Sequence, residues 1–496
     1  MNNPLWPPCP APFNLAAHVL AKADDLAHEP ALIIFGTKGS QQWSFADLKA
    51  QVLRVGAGLL AMGLQPGDRV LLRLDNSVDF PLAFLGAIAV GVIPVPTSSM
   101  LTESEVAYIL EELKPAMILR APDVACPDTL IRVCVMDEVM ASSSRNKIIF
   151  DLQDPNDPAY MIYTSGTSGR PRAVVHAHRA IWARGMMVDG WYDLRARDRV
   201  CHAGAFNWTY TLGTGLMDPW SNGATALIPA PDVTMEDIPQ YAARHKASIF
   251  AASPGVYRKI LNHHTNLEWP TLRHALSAGE KLPPATLAKW SAATGTAIYE
   301  AYGMSEISTF ISACPSHPAS PHTLGRPQPG RRVAIVDENG PVPMGTPGQI
   351  AIDRRDPGLM LGYLDAPEDT ALKFRDDWFL TGDLGQMDAQ GQIEYLGRND
   401  DMMNAGGYRV SPIEVEAAMM TCPGVTGAAA VTEQIKPDVQ IIVVFYTSTA
   451  PIPEQALHTH AAAHLARYKQ PRKFVHIDAL PTGANGKLLR RTLRDG

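Results

Sequence analysis

The run Tyr163-Thr-Ser-Gly-Thr-Ser-Gly-Arg-Pro-Arg172 sets the reading of this 496-residue chain. Hydroxyl side chains and two glycines alternate from Thr164 to Gly169, and two arginines follow. Ala159-Tyr-Met-Ile162 before the run and Ala173-Val-Val-His-Ala-His178 after it read as short strands. A loop of this composition can wrap backbone N–H groups and hydroxyls around a polyphosphate, with the glycines admitting close approach. Taken alone it reads equally as a surface turn. A Walker A loop is excluded, because Arg170 and Pro171 follow Gly169 where that loop has lysine and a metal-binding hydroxyl.

The run resembles the phosphate loop of the acyl-adenylate-forming superfamily, which includes acyl- and aryl-CoA ligases, luciferases and free-standing adenylation domains. The family pattern is Tyr-Thr-Ser-Gly-Thr-Thr-Gly-Lys-Pro-Lys-Gly. Arg170 and Arg172 stand here in place of lysines and Ala173 in place of glycine. The charge is kept, but a planar guanidinium replaces a compact ammonium.

Length and composition support a large globular chain. At 496 residues and 46% hydrophobic, the chain can bury a core of two to four subdomains. A net charge of −7 lacks the basic excess of a nucleic-acid binder. No apolar run approaches the roughly 20 residues that span a bilayer, and no basic-then-apolar leader opens the chain, so a cytoplasmic location is expected, with no membrane or nucleic-acid partner. The six cysteines, at 9, 126, 134, 201, 314 and 422, form no Cys-x-x-Cys pair and read as buried thiols.

Alternating patterns predict an α/β fold. Ser44 caps an apolar-spaced helix over Phe45–Leu60, and Arg69–Leu74 reads as a strand. A helix over Phe80–Val90, a strand at Val92–Val95, a capping box at Thr102–Glu105 and a strand at Ala116–Leu119 follow. Such alternation predicts helix-covered parallel sheets. Residues 333–396, rich in Gly and Pro, read as a small β-rich module. Beyond them come a helix over Ile413–Met420, strands near Ala428–Val431 and Gln440–Phe445, a helix over Glu454–Arg467 and a strand at Phe474–Ile477. The expected division is a large N-terminal adenylation domain, 1–398, and a small mobile α+β domain, 399–496, with the boundary at Asn399–Asp401.

Four further segments fit the same superfamily in its order, so the resemblance covers nearly the whole chain. Glu300-Ala-Tyr-Gly-Met-Ser-Glu306 implies that Tyr302 is the face on which adenine stacks, flanked by Glu300, Ala301, Gly303 and Ser305. It implies Glu306 as a hard oxygen ligand for Mg²⁺ bridging ATP phosphates, with Thr167 as a second ligand and catalytic hydroxyl. Ser277-Ala-Gly-Glu280 matches the loop on the other side of the nucleotide, bringing in Ala278, Gly279 and Glu280. The phosphate loop contributes Thr164, Ser165, Gly166, Thr167, Ser168, Gly169 and Arg172. Leu380-Thr-Gly-Asp383 and Gly397-Arg398 imply ribose binding, since a carboxylate can accept from both ribose hydroxyls and an arginine can donate to the sugar. Without its neighbours Asp383 would read as an Asx-turn residue. Asp400 matches the hinge aspartate, and Asn404 stands where lysine or asparagine occurs.

In Pro481-Thr-Gly-Ala-Asn-Gly-Lys487, Lys487 matches the lysine that enters the active site for adenylation. A carboxylate and a triphosphate repel as they meet, and a point positive charge between them lowers that repulsion. Gly406, Gly407 and Arg409 match the segment facing the thiol tunnel in CoA-forming relatives. ATP, Mg²⁺ and coenzyme A are the implied cofactors.

For the acid, the resemblance points to Ala205–Gly213 and to residues after Glu306. Amino-acid-activating members place an aspartate near the start of the first segment. Asn207 stands closest here, with no carboxylate between Ala205 and Gly215. Trp208, Thr209 and Tyr210, with Gly279, Thr309 and Phe310, are the candidate walls of a flat apolar pocket. Tyr210–Gly215 is similar to the run in benzoate-type CoA ligases, whereas Leu216-Met-Asp-Pro-Trp220 is similar to medium-chain acyl-CoA synthetases. The expectation is an acid–thiol ligase activating an aromatic or alicyclic acid, working as a monomer or homodimer. A short or medium aliphatic acid, and a separate carrier protein as acceptor, are the alternatives. The chain ends nine residues after Lys487, so no fused carrier domain is expected. The pairs His176/His178 and His460/His464 lack a third partner at metal-ligand spacing and read as surface or core histidines.

Overall fold

The computed structural model describes residues 6–143, 148–164, 172–398, 403–405, 408–436, 439–482 and 488–494, without the side chains at 404, 405, 408, 409, 436, 439 and 468. The chain divides into two compact units. The first holds Met1–Ser320, Leu324–Arg332 and Asp353–Phe379, and the second Pro321–Thr323, Val333–Ile352 and Leu380–Gly496. The boundary expected at Asn399–Asp401 lies outside the described residues.

The first unit is α/β. Its nine-stranded sheet has six neighbouring parallel strands, in the order Ile298–Met304, His274–Ala278, Ile249–Ala252, Arg199–His202, Thr225–Pro229 and Pro30–Gly36. Antiparallel strands flank them: Ser308–Ser312 and Arg326–Pro327 on one side, Gly39–Ser44 on the other. A second sheet, all parallel, runs Ile93–Pro96, Arg69–Arg73, Met117–Arg120, Arg132–Cys134. Both follow from the strand–helix alternation, because parallel neighbours need a crossover and the crossover helix covers the sheet.

Local sequence sets the helix ends. Ser44 accepts from Asp47 N while Asp47 accepts from Ser44 N, a reciprocal box opening the helix Phe45–Ala61. Thr102 and Glu105 do the same for Glu103–Leu113. The helix Asp79–Ala89 is buried all round from Phe80 to Ala89, as expected for a helix set between layers of a large core.

The candidate phosphate loop is the connection of a hairpin. Pro158–Thr164 pairs antiparallel with Arg172–Ala177, Thr164 lying opposite Arg172, and Gly362–Tyr363 adds a third strand. The strands expected on both sides of the loop are present.

The expected β-rich segment is one sheet of Gly340–Pro341, Val333–Asp337, Gly348–Asp353, Trp378–Met387 and Ile393–Arg398, most of it in the second unit. Val333–Asp337 runs antiparallel to Gly340–Pro341 and to Gly348–Asp353, and Trp378–Met387 antiparallel to Ile393–Arg398. Gly427–Lys436, Val439–Thr447 and Lys473–His476 form a further sheet. The helices Pro412–Met420 and Glu454–His464 accompany it, and Val415, Met419, Leu457 and Ala461 join Ala430, Ile442 and Val444 in one apolar cluster. Among the described residues no helix is long and apolar enough to cross a membrane.

Candidate active site

The site in the first unit is built where parallel strands end. His274–Ala278 and Ile298–Met304 run side by side with Ala278 opposite Ala301, so the segments 277–280 and 300–306 emerge together. Glu300 reaches across to accept from Leu282 N at 3.0 Å, tying the two segments. Burial pushes its carboxyl up to about 7, which makes it a poor charged ligand and a good structural tie.

After Met304 the chain reverses into Ser308–Ser312, with Gly303 opposite Thr309 and Met304 opposite Ser308. Gly303 is required here: a Cβ would lie 2.1 Å from the Ser308 carbonyl oxygen. The turn is fastened from several sides. His176 Nε2 lies 2.8 Å from the Ser305 carbonyl oxygen, Met360 N donates to Glu306 O at 2.8 Å, and Tyr363 O–H donates to Glu306 Oε1 at 2.7 Å. Burial pushes His176 down to about 4, so it is neutral, and since a carbonyl only accepts, its Nε2 carries the proton. Its ring stacks on Tyr160, at 4.8 Å and 15°. His176 thus joins the phosphate-loop hairpin to the turn that carries Glu306.

The candidate aromatic walls meet the candidate nucleotide segment 277–280. Trp208 packs over Gly279, where φ is +97° and a Cβ would fall 2.7 Å from the indole. The Tyr210 ring stands edge-on to Trp208 at 5.2 Å, and its hydroxyl donates to Leu276 O at 3.1 Å. Tyr302 meets Phe310 edge-on at 5.3 Å. Thr309 lies beside Met187, its Oγ1 3.3 Å from the thioether sulfur. Trp208, Thr209 and Tyr302 are partly exposed, whereas Tyr210 and Phe310 are buried and serve the core as well.

The segment Thr211–Met217 is a π-helix, which the sequence reading did not foresee; such turns gather at functional sites. It is followed by Asp218, the carboxylate nearest the acid segment. Asp218 accepts from Arg184 Nε and Nη2 at 2.8 and 2.6 Å and from Tyr192 O–H at 2.6 Å. Its charge is spent on Arg184 and is not offered to a substrate ammonium.

Arg172 is ion-paired with Asp369, both partly exposed. In the second unit, Asp383 N donates to Thr381 Oγ1 at 3.1 Å. Asp383 lies opposite Arg398 in the ladder, with Arg398 Nη1 3.9 Å from its Oδ1. Ser165, Gly166, Thr167, Ser168, Gly169, Arg170, Asp400, Gly406, Gly407 and Lys487 lie outside the described residues, as do the side chains of Asn404 and Arg409.

His176, Arg184, Asp218, Tyr192 and Tyr363 were not picked out by the sequence reading as parts of this site. His178, also buried, accepts from Leu15 N through Nδ1. His460 and His464 stack at 4.1 Å in the second unit.

Comparison with known proteins agrees with this geometry. Residues 21–364 match the family described as AMP-binding enzyme, and residues 414–487 match the AMP-binding enzyme C-terminal domain. A 3-hydroxybenzoate–CoA ligase from Aromatoleum sp. (strain CIB) is 30% identical, over 95% of this chain and 94% of that protein. A human mitochondrial acyl-coenzyme A synthetase is 30% identical over 98% of this chain and 91% of its own length. Among solved structures, a benzoate CoA ligase from Burkholderia xenovorans LB400 superposes with a TM-score of 0.84 at 26% identity, covering 97% of this chain and all of that one (100%). The chain belongs to the AMP-binding enzyme family.

Proposed function

We propose that this chain is an AMP-forming acid–CoA ligase that activates an aromatic acid as its adenylate and passes the acyl group to the thiol of coenzyme A. The observation that carries the reading is the turn Met304–Ser308. It carries Glu306, whose carboxylate accepts from Tyr363 while His176 holds the neighbouring Ser305 carbonyl, and it joins the strand of Tyr302, a tyrosine suited to adenine, to the strand of Phe310, which packs on it. The acid reading rests on the flat rings of Trp208 and Phe310, on Asp218 being consumed by Arg184, and on the likeness to the aryl–CoA ligases named above.

Glu306 suits Mg²⁺. It is a hard oxygen donor whose Oε1 already accepts from Tyr363, and among the described residues its other oxygen has no partner. A divalent ion there would offset charge on the ATP phosphates. Tyr302 would stack on adenine, and Asp383 and Arg398 would hold the ribose.

In this reading the carboxylate oxygen of the acid attacks the α-phosphorus of ATP and pyrophosphate leaves. The thiol of CoA, losing its proton, then displaces AMP from the mixed anhydride. Lys487 serves the first step only, and residues 399–496 turn about Asp400 between steps, away from the 1–398 domain.

The test is product analysis with ATP, CoA and a panel of benzoates, alicyclic acids and fatty acids. Acid-dependent AMP together with aryl-CoA is expected. Better turnover of hexanoate overturns the aromatic assignment, and AMP formation without any CoA thioester points to a carrier protein as acceptor. Lys487→Ala should lose adenylation by about 100-fold or more and still convert synthetic aryl-adenylate to aryl-CoA. Equal loss of both half-reactions contradicts the division of labour.

A further inference from the structure

The turn carrying Glu306 closes on a backbone conformation that L-amino acids other than Asn and Asp seldom adopt. Ser308 has φ +73°, in the left-handed region, and starts the strand Ser308–Ser312 directly opposite Met304. Glycine enters that region freely, and a serine needs something to hold it there. Ser308 Oγ accepts from Arg184 Nη1.

Arg184 is itself fixed on every side. It is buried, its Nε and Nη2 bind both oxygens of Asp218, and Nη2 lies 3.1 Å from the Tyr192 hydroxyl. Its charge is cancelled within the core, so what remains to it is geometry. A planar guanidinium gripping a carboxylate along one edge aims its remaining N–H in a fixed direction. The π-helix of the acid segment is fitted around the same group: a Cβ on Gly213 would lie 2.0 Å from Arg184 Nη2. Arg184, Ser308, His176 and Thr209 do face a common cavity, but it leaves only about 10 Å³ for a water-sized body. That is room for one water and for no part of an acid substrate.

We propose that Arg184 is a positioning residue: its guanidinium holds Ser308 in the left-handed conformation and thereby sets Glu306 before it and Thr309 and Phe310 after it. This rests on the reading of those three residues given above. Asp218 and Tyr192 anchor the guanidinium, and the Ser308 hydroxyl is the tether through which it acts.

The test compares Ser308→Ala with Ser308→Gly. Both lack the hydroxyl, but only glycine takes a positive φ without cost. Ser308→Ala should lower kcat of acid-dependent ATP–pyrophosphate exchange about 10-fold or more, in keeping with the cost of displaced catalytic groups. Ser308→Gly should stay within about threefold of the parent enzyme, since only its backbone preference changes. Equal loss in the two variants would mean that the hydroxyl acts directly, and equal activity in all three that the turn needs no tether; either result overturns the proposal. Arg184→Met combined with Asp218→Leu removes the ion pair without stranding a buried charge. Adding Ser308→Gly to that background should recover most of the lost kcat, and absence of recovery contradicts action through Ser308. Thermal unfolding reads the same claim without activity. Glycine ordinarily destabilises relative to alanine, so a Ser308→Gly protein melting above Ser308→Ala is expected, and the reverse order overturns the proposal even if the combined variant fails to fold. A parent enzyme with no acid-dependent exchange would instead overturn the functional reading, leaving Arg184 to be judged by melting: Ser308→Gly should raise Tm more in the Arg184→Met/Asp218→Leu background than in the parent, and an equal or smaller gain overturns the proposal.

Discussion

The turn Met304–Ser308 of the first unit, proposed for the phosphates, and the Asp383–Arg398 pair of the second, proposed for the ribose, are built differently. The turn is fastened through backbone and side chain by His176, Met360, Tyr363 and Arg184, most of them buried. The pair consists of two ladder neighbours whose charged atoms stand 3.9 Å apart, with Arg398 partly exposed. A carboxylate that must meet developing charge at one place gains from a rigid surround, because preorganised groups need no rearrangement during reaction. Groups that hold a sugar by hydrogen bonds gain little from the same rigidity. Substitutions that neutralise or displace the Glu306 carboxylate should therefore lower kcat, and substitutions in the pair should raise KM for ATP.

The largest effect is expected at the turn. Glu306→Gln keeps shape and removes charge, and should reduce kcat of adenylation by about 100- to 1000-fold, with a smaller change in KM for the acid. Steady-state exchange kinetics check this, and a change confined to KM would erase the contrast.

Asp383→Ala should raise KM for ATP about 10- to 100-fold, the worth of hydrogen bonds to one charged group, with kcat changed far less. If kcat falls as it does for Glu306→Gln, the two regions are not distinct in role.

Trp208→Ala sharpens the comparison on the acid side. Trp208 packs on Gly279 and is proposed as a wall of the acid pocket, so its loss should cut the preference for the native acid by about 1–3 kcal/mol and admit bulkier acids. An unchanged profile of kcat/KM across an acid panel would assign this tryptophan to packing alone.

The smallest effect concerns stability and pH. Burial holds His176, His178 and His274 down to about 4 and His202 to about 3, against an ordinary 6.5. The unfolded chain then binds more protons than the folded one below pH 6.5, so stability is intact above that pH and is lost as pH falls toward 4. Glu300, raised to about 7 from 4.5, works the other way: its contribution is full below 4.5 and is lost as pH rises through 7. Four histidines outweigh one glutamate, so Tm should fall between pH 6.5 and 4, and His176→Gln should flatten that slope. A Tm that rises over the interval contradicts these burials.

Much of the fold was legible because its signals are local. Capping boxes at Ser44 and Thr102, apolar spacing in the helices and short apolar strands each need only a few neighbouring residues. The hairpin on which the phosphate loop sits was legible for the same reason. The buttress of the Glu306 turn was not. His176 and Ser305 lie 129 residues apart, Arg184 and Ser308 124, and Glu306 and Tyr363 57. No local period links such pairs, and the alternation of His176 with His178 matched equally well a pair of core histidines. The partner of Arg172 was not legible either: its guanidinium, at the base of the hairpin, pairs with Asp369 of the helix Pro367–Ala371. The left-handed Ser308 gave no warning, since serine carries none of the signal that glycine would.

The central claim is that this chain adenylates an aromatic acid, and ATP–pyrophosphate exchange without CoA tests it most directly. Exchange of labelled pyrophosphate into ATP, measured with benzoate, 3-hydroxybenzoate, hexanoate and no acid, should depend on the acid and be fastest with an aromatic one. Exchange absent with every acid, or faster with hexanoate than with either benzoate, would contradict the account.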